Sequence, residues 1–303
     1  MEGISTRNVL ITMIAPAAWG TTYLVTEQWL PPDRPLFAAA VRALPAGLVL
    51  LAWRRQLPPP GWRLKAITLG LLNFGLFFPL IFLSAYHLPG GLAATIQALL
   101  PLVVMALAWP LIAERPTAVR VGAALVGLAG VTLLVLRNPD GTDPVGLFAA
   151  FASVTVAALG FTLVKKWTPP VDMITLTSWQ LVVGGLVLTP VALIVEGAPP
   201  ALDAPAVGGL AWIAIVGTGV AYVCWFRGLQ LMPAGAVALI GLVNPVVGTA
   251  LGVAFAAEPF GAVQALGMAL VLGGVLAGQR PSAAAGPDTD TRRPATARTG
   301  SAT

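Results

Sequence analysis

The stretch 89–114, PGGLAATIQALLPLVVMALAWPLIAE, returns in outline at 233–258 as PAGAVALIGLVNPVVGTALGVAFAAE. Pro89, Pro101 and Glu114 map onto Pro233, Pro245 and Glu258 at one offset of 144. Three matches at one offset inside two long apolar stretches mark a duplicated chain rather than shared composition. The spacing also measures the unit against a membrane. At about 1.5 Å of rise per residue, the second proline lies about 18 Å and the glutamate about 37 Å beyond the first, against a hydrocarbon core of about 30 Å. The first proline then sits at one interface, the second near mid-membrane and the acid at the far interface. A proline inside a helix cannot bond the carbonyl four residues earlier, here that of Gln97 in one copy and Gly241 in the other. In hydrocarbon such a carbonyl is tolerated where neighbouring helices or a watery cavity satisfy it. Pro101 and Pro245 are therefore expected to face the bundle interior, or else to act as plain packing kinks.

Only 10% of the 303 residues are charged and 57% are hydrophobic. A soluble domain carries about a quarter charged residues, so the expected fold class is an all-α integral membrane protein. Ten apolar stretches are long enough to span: 8–27, 35–53, 65–86, 91–112, 119–136, 145–165, 173–195, 206–227, 234–256 and 260–279. Proline, glycine and aspartate punctuate the gaps, as in Pro31-Pro32-Asp33, Pro58-Pro59-Pro60-Gly61, Pro89-Gly90-Gly91 and Asn138-Pro139-Asp140-Gly141. Fourteen arginines and lysines fall on the side that holds the N-terminus and two, Arg34 and Arg137, on the other. Positive charge marks the cytoplasmic side, so both termini are expected there, in the cytoplasmic membrane. The net charge of +5 is thus topology, and no nucleic-acid partner is expected.

Five spans per half is an odd number, so the second half must enter the membrane from the opposite side. The organisation read from this is a first repeat over 1–137, an inverted second repeat over 138–280 and a polar, disordered cytoplasmic tail over 281–303. A second set of matches, Trp29, Pro31 and Pro32 onto Trp167, Pro169 and Pro170, has its own offset and places Arg42 opposite Gln180. Inverted repeats recur in secondary transporters, whose solute site lies near the midplane where the halves meet. One cysteine and one histidine, Cys224 and His87, exclude a metal site built on clustered thiols or imidazoles. No GxxxxGKS/T phosphate loop occurs, which argues against an ATP-driven pump, and no cofactor is expected. Enzymatic chemistry is not expected either, because no nucleophile–base constellation lies at depth.

Trp19-Gly20, the Pro31-Pro32 turn, Arg42, Gly91-Leu92-Ala93 and Ala113-Glu114-Arg115 resemble the first half of the drug/metabolite transporter superfamily, EamA branch. Pro233, Pro245 and Ala257-Glu258 resemble its second half, although family members often carry glycine where Ala257 stands. The resemblance implies a ten-helix, five-plus-five carrier, often an exporter of amino acids or other small metabolites. It further implies a path lined by helices one, three, four, six, eight and nine.

Polar side chains deep in an apolar span are costly, so each needs a reason. Gln97 and Asn244 flank the two mid-span prolines and, with Asn73, are the leading candidates for solute contact; Gln180 is a weaker one. Interior amides also bond between helices for packing, and that alternative stands beside the first. Trp19, Tyr23, Phe77, Tyr86, Tyr222 and Trp225 lie on helices one, three and eight and either line a cavity for flat or amphipathic solutes or fill the core. Trp29, Trp53, Trp62, Trp167 and Trp212 fall near the interfaces and read as an aromatic belt. Arg42 is the most costly residue, about 2.5–3.5 kcal/mol if central. It is expected to snorkel, to pair with Glu27 or Asp33, or to attract a substrate carboxylate. Glu114 and Glu258 read as a gate or an anchor. No Asp or Glu lies near the centre of a span, so a proton relay of the usual carboxylate kind is not written in this chain. The expected partners are a small-molecule solute and the lipid bilayer, with a secondary carrier preferred over a passive facilitator.

Overall fold

The computed structural model describes residues 5–88, 90–135, 143–255 and 260–280, with the side chains of Tyr23, Ala85, Tyr86, Gly90, Gly91 and Val135 outside that set. Expectations attached to Pro89, Glu258 and the tail 281–303 also lie outside the described residues. The described residues are helical and include no strand. We label the helices in chain order. α1 is Thr6–Trp29 and α2 is Pro35–Arg54. α3 runs through Pro60–Gly70, a π-helical turn Leu71–Leu76, and Phe77–His87. α4 comprises Gly90–Gln97 and Leu100–Ile112. α5 is Ala118–Val135, α6 is Pro144–Lys166 and α7 is Met173–Val195. α8 runs through Ala204–Ala214, a second π-helical turn Ile215–Val220, and Ala221–Leu231. α9 comprises Ala234–Ile240 and Val243–Phe255, and α10 is Ala262–Gly278. Eight of these are long and apolar enough to cross a membrane, while α5 and α10 are shorter apolar helices. Outward faces carry large apolar side chains such as Phe148, Ile194 and Leu276, which suits lipid and not water.

Local chemistry explains the ends. Proline stands at the first or second position of α2, α3, α6 and α8, where its missing N–H costs nothing. Pro60 therefore opens α3 instead of lying in the loop expected from the three-proline run. The carboxylates of Asp143, Asp172 and Asp203 cap α6, α7 and α8 by accepting from backbone N–H groups one turn on. α4 breaks at Ala98-Leu99 and α9 at Gly241-Leu242, each just before its mid-span proline. The Gly241 carbonyl does not wait for a neighbouring helix, because the Asn244 N–H donates to it at 3.1 Å. Tightening to an i→i+3 bond satisfies the group within its own chain.

Equivalent helices of the two halves pair antiparallel. The start of α2 meets the end of α7, where Glu196 accepts from the N–H groups of Leu36 and Phe37 at 2.6 and 2.9 Å. At their other ends Arg54 pairs with Asp172. Close approach at this crossing requires glycine, since a Cβ on Gly185 would stand 2.6 Å from the Leu44 Cα. The α5–α10 crossing repeats the device, with a Cβ on Gly130 only 2.7 Å from the Gly267 carbonyl oxygen. Small residues let backbones approach where lipid supplies no hydrophobic drive. The remaining contacts are also reciprocal: α1 packs on the second parts of α8 and α9, and α6 on the second parts of α3 and α4. Of the tryptophans read as a belt, Trp62 departs from the reading. It is 8% exposed, tilted against Trp179 at 6.4 Å, because α3 begins earlier and turns it inward.

Candidate functional site

The two π-helical turns lie at the same offset of 144 as the prolines, Leu71–Leu76 in α3 and Ile215–Val220 in α8. A π turn widens the helix and frees backbone groups, so each of these helices carries a local irregularity facing the centre. Around them the rings of α1, α3, α6 and α8 form one connected cluster. Trp19 lies 5.1 Å from Tyr222 and 5.2 Å from Trp225. Tyr222 lies 4.5 Å from Phe74, and Trp225 lies 5.4 Å from Phe161. All meet tilted, the arrangement that ring quadrupoles favour. Trp225 and Phe74 are fully buried, while Trp19 at the margin of the cluster is only partly so. Phe77 joins at the edge, 5.7 Å from Phe78.

The amides take different positions. Gln97 lies at the α4 break and donates from Nε2 to the Ser153 hydroxyl of α6 at 2.6 Å. Asn244 lies just past the α9 break, where its backbone carbonyl would stand 2.9 Å from a Cβ on Gly20 of α1. Its Oδ1 is buried without a partner among the described residues, as are the Trp225 Nε1 and the Thr22 Oγ1. Asn73 Oδ1 and Gln279 Oε1 share that state, and such orphans are rare enough that each asks for a reason. Asn73 and Gln180 bond each other, Nδ2 to Oε1 at 2.7 Å, at 1% and 0% exposure, which leaves the Asn73 Oδ1 without a partner. The structure thus brings together Trp19, Tyr222, Trp225 and the Asn244 break, sets Gln97 against Ser153 of α6, and ties Asn73 to α7. Tyr23 and Tyr86 belong to α1 and α3, but their side chains lie outside the described set.

Arg42 reaches from α2 into the second π turn. Its Nε donates to Thr218 Oγ1 at 2.8 Å and its Nη2 to the Gly217 carbonyl at 3.0 Å. The same carbonyl accepts from Trp19 Nε1 at 3.1 Å. A carbonyl loosened by the π turn is thereby satisfied twice. The guanidinium carbon lies 4.7 Å over the Phe78 ring. Neither Glu27 nor Asp33 pairs with Arg42, because both stand exposed at the α1 end while the guanidinium turns inward.

Glu114 builds a clasp at the end of the bundle that holds the N-terminus. Its Oε2 accepts from the Ala234 N–H at the start of α9 at 2.7 Å, and its Oε1 lies 3.1 Å from Lys165 Nζ of α6. Lys165 donates onward to the carbonyls of Leu229 and Met232 at 2.9 and 2.6 Å, closing the end of α8. One ion pair therefore joins α4, α6, α8 and α9, beside a cleft of about 170 Å³ lined by Met105, Arg120 and Gly235. At the other end His87 Nδ1 lies 2.6 Å from Asp143 Oδ2. The Val145 N–H and then the His87 ring hold the Asp143 carboxyl below its ordinary pKa. Partial burial raises Asp172, but Arg54 and the Thr175 N–H and hydroxyl outweigh it and leave that carboxyl lowered as well.

The residues that sequence reasoning missed are Phe74, Phe78, Thr22, Ser153, Phe161 and Thr218. Thr218 had a legible signal, a hydroxyl between two glycines at the repeat offset from Phe74. Apolar helices of spanning length, interrupted at matching points around a buried polar and aromatic centre, define a multi-pass membrane transporter. The EamA-like transporter family model matches this chain twice, over residues 6–136 and 144–277. The chain is 38% identical over 264 residues to Protein PecM of Dickeya dadantii, covering 86% of this chain and 89% of that protein. It is 26% identical over 262 residues to the Uncharacterized inner membrane transporter YedA of Escherichia coli, covering 84% of each. A solved crystal structure superposes with a TM-score of 0.79 at 19% identity, covering 90% of this chain and 96% of that one, and so shares its fold. The chain belongs to the EamA-like transporter family, within the drug/metabolite transporter superfamily.

Proposed function

We propose that the protein is a secondary carrier that exports small metabolites, amino acids or related amphipathic solutes, across the cytoplasmic membrane by alternating access. In this reading ten helices span as two inverted repeats, 1–137 and 138–280, with both termini cytoplasmic. The observation that carries it is the matched pair of interruptions: π turns in α3 and α8, and breaks before Pro101 and Pro245 in α4 and α9. Broken helices at the repeat interface are where carriers of this build hold solute, and they supply hinges for rocking one half against the other. The antiparallel pairing of α2 with α7 and of α5 with α10 supports inversion. Trp19, Tyr222, Trp225 and Asn244 are the proposed solute contacts, together with Gln97 at the α4 break. The Glu114 clasp is the proposed cytoplasmic closure, and Glu258 its counterpart. No enzymatic step or cofactor enters this reading.

The test is flux from proteoliposomes loaded with a pool of labelled amino acids and nucleosides, for the wild type and for Gln97→Ala and Asn244→Ala. Saturable flux, stimulation by solute on the far side and loss in both variants are expected. Flux that neither saturates nor responds to far-side solute would make the protein a passive facilitator, and no flux of any pool member would refute the solute class.

A further inference from the structure

Resting on the carrier reading, we infer that Arg42 is the recognition point for a carboxylate on the transported solute. The two halves make the same contact with different chemistry. In the first repeat α2 reaches the π turn of α8 through Arg42, and in the second α7 reaches the π turn of α3 through Gln180. Arg42 and Gln180 are the two residues that the repeat sets opposite each other. A neutral amide therefore suffices to tie this pair of helices together, and Gln180 does so at 0% exposure. The charge at position 42 is surplus to packing.

That charge is also incompletely answered. Arg42 is 8% exposed, and the three ion pairs among the described residues do not include it. Of the five N–H bonds of a guanidinium, the Thr218 hydroxyl and the Gly217 carbonyl take one each. Both acceptors are neutral, so among the described residues the cation has no counter-ion. Beside it the Thr22 hydroxyl is buried without a partner. Thr22 Oγ1 and Arg42 Nη2 both face the bare side of Gly217, 3.6 and 4.0 Å from where a Cβ would stand. A carboxylate is the group that completes this set, because its two oxygens accept from a guanidinium fork and from a hydroxyl together. The apolar surroundings say what the carboxylate is attached to. Phe78 lies under the guanidinium, and Trp19 shares its carbonyl partner. A flat apolar body set against those rings, with the carboxylate toward Arg42, matches both halves of the site.

The experiment uses purified full-length protein in detergent and three probes with the same phenyl body: phenylacetate, its isosteric amide phenylacetamide, and the cation phenethylammonium. Tryptophan emission reports binding, because Trp19 and Trp225 lie in the cluster, and thermal melting reports it independently. Phenylacetate is expected to bind the wild type at least tenfold more tightly than either other probe. Arg42→Gln, which copies the opposite half, is expected to abolish that preference, and Arg42→Lys to retain part of it. Equal binding of phenylacetamide by the wild type, an unchanged preference in Arg42→Gln, or no binding of any probe would overturn the inference. Competition by chloride as strong as that by phenylacetate would assign the site to a halide and also overturn it. Should Arg42→Gln not fold, the wild-type preference for carboxylate over amide and its loss in Thr22→Val decide the matter. Pool flux separates this inference from the carrier reading: saturable transport that is indifferent to Arg42→Gln leaves the carrier standing and removes the carboxylate.

Discussion

Removing the Glu114 carboxylate should loosen the start of α9. Two interactions converge on it, the bond from the Ala234 N–H at 2.7 Å and the Lys165 ion pair at 3.1 Å. A hydrogen bond to a charged group contributes about 1.5–3 kcal/mol. The ion pair adds about 1 kcal/mol, since its side chains at 17% and 28% exposure still touch solvent, which screens the attraction. Lys165 keeps the Leu229 and Met232 carbonyls, so part of that loss is recovered. A net cost of about 2 kcal/mol for Glu114→Ala corresponds to about a 30-fold rise in the open population of this end. Glu114→Gln retains an acceptor for Ala234 and loses only the charge, so about a fivefold rise is expected. Hydrogen exchange at Ala234, Ala236 and Val237 measures that population directly, as Ala236 and Val237 donate to the Pro233 carbonyl beside the clasp. The order expected is wild type slowest, then Gln, then Ala. Unchanged exchange in Glu114→Ala would show that α9 is held by packing alone and that the clasp closes nothing.

Gly130→Leu should lower the melting temperature in detergent, at an overpacking cost of about 1–3 kcal/mol, because Gly130 faces the Gly267 carbonyl. Gly273→Ala, with nothing within 4 Å, should be neutral or gain up to about 1 kcal/mol of helix propensity; equal behaviour of the two variants would sink the close-crossing account. Ala113 ends α4 at a φ of 57°, so Ala113→Gly should raise the melting temperature by relieving about 1 kcal/mol of left-handed strain; a fall would refute this. The lowered carboxyls of Asp143 and Asp172 contribute stability that is present above the ordinary aspartate pKa and lost as pH falls through their folded values. The melting difference between wild type and Asp172→Asn should accordingly be constant from pH 7 to 5 and shrink on further acidification, and a difference that grows toward acid would overturn the assignment.

Much of the helical plan was legible because lipid imposes a length and an apolar composition that soluble folding does not. The stretches at 35–53 and 173–195 coincide with α2 and α7 to within a residue. The constant offset of 144 anticipated the broken α4 and α9, since proline cannot donate inside a helix wherever it sits. The π turns were illegible. LLNFGL and IVGTGV share one aligned residue, Gly75 with Gly219, and no known signature, and the widening of a helix is decided by what packs against it. The fate of each buried polar group was equally hidden, because its partner stands on another helix. Arg42 reads as a residue in need of an acid, and only the crossing of α2 over α8, 176 residues away in sequence, supplies Thr218 and a Gly217 carbonyl instead. Asn73 and Gln97 read alike as interior amides, yet one is tied to Gln180 and the other to Ser153. The sequence by itself determined which stretches are apolar enough for a membrane, where α4 and α9 break and that the chain carries a repeated pattern, for these follow from hydration, rise per residue and proline geometry. Tertiary structure alone decided which buried polar groups face one another, because hydrogen bonds act over about 3 Å while the residues that make them lie far apart in the chain, 198 positions for Trp19 and Gly217.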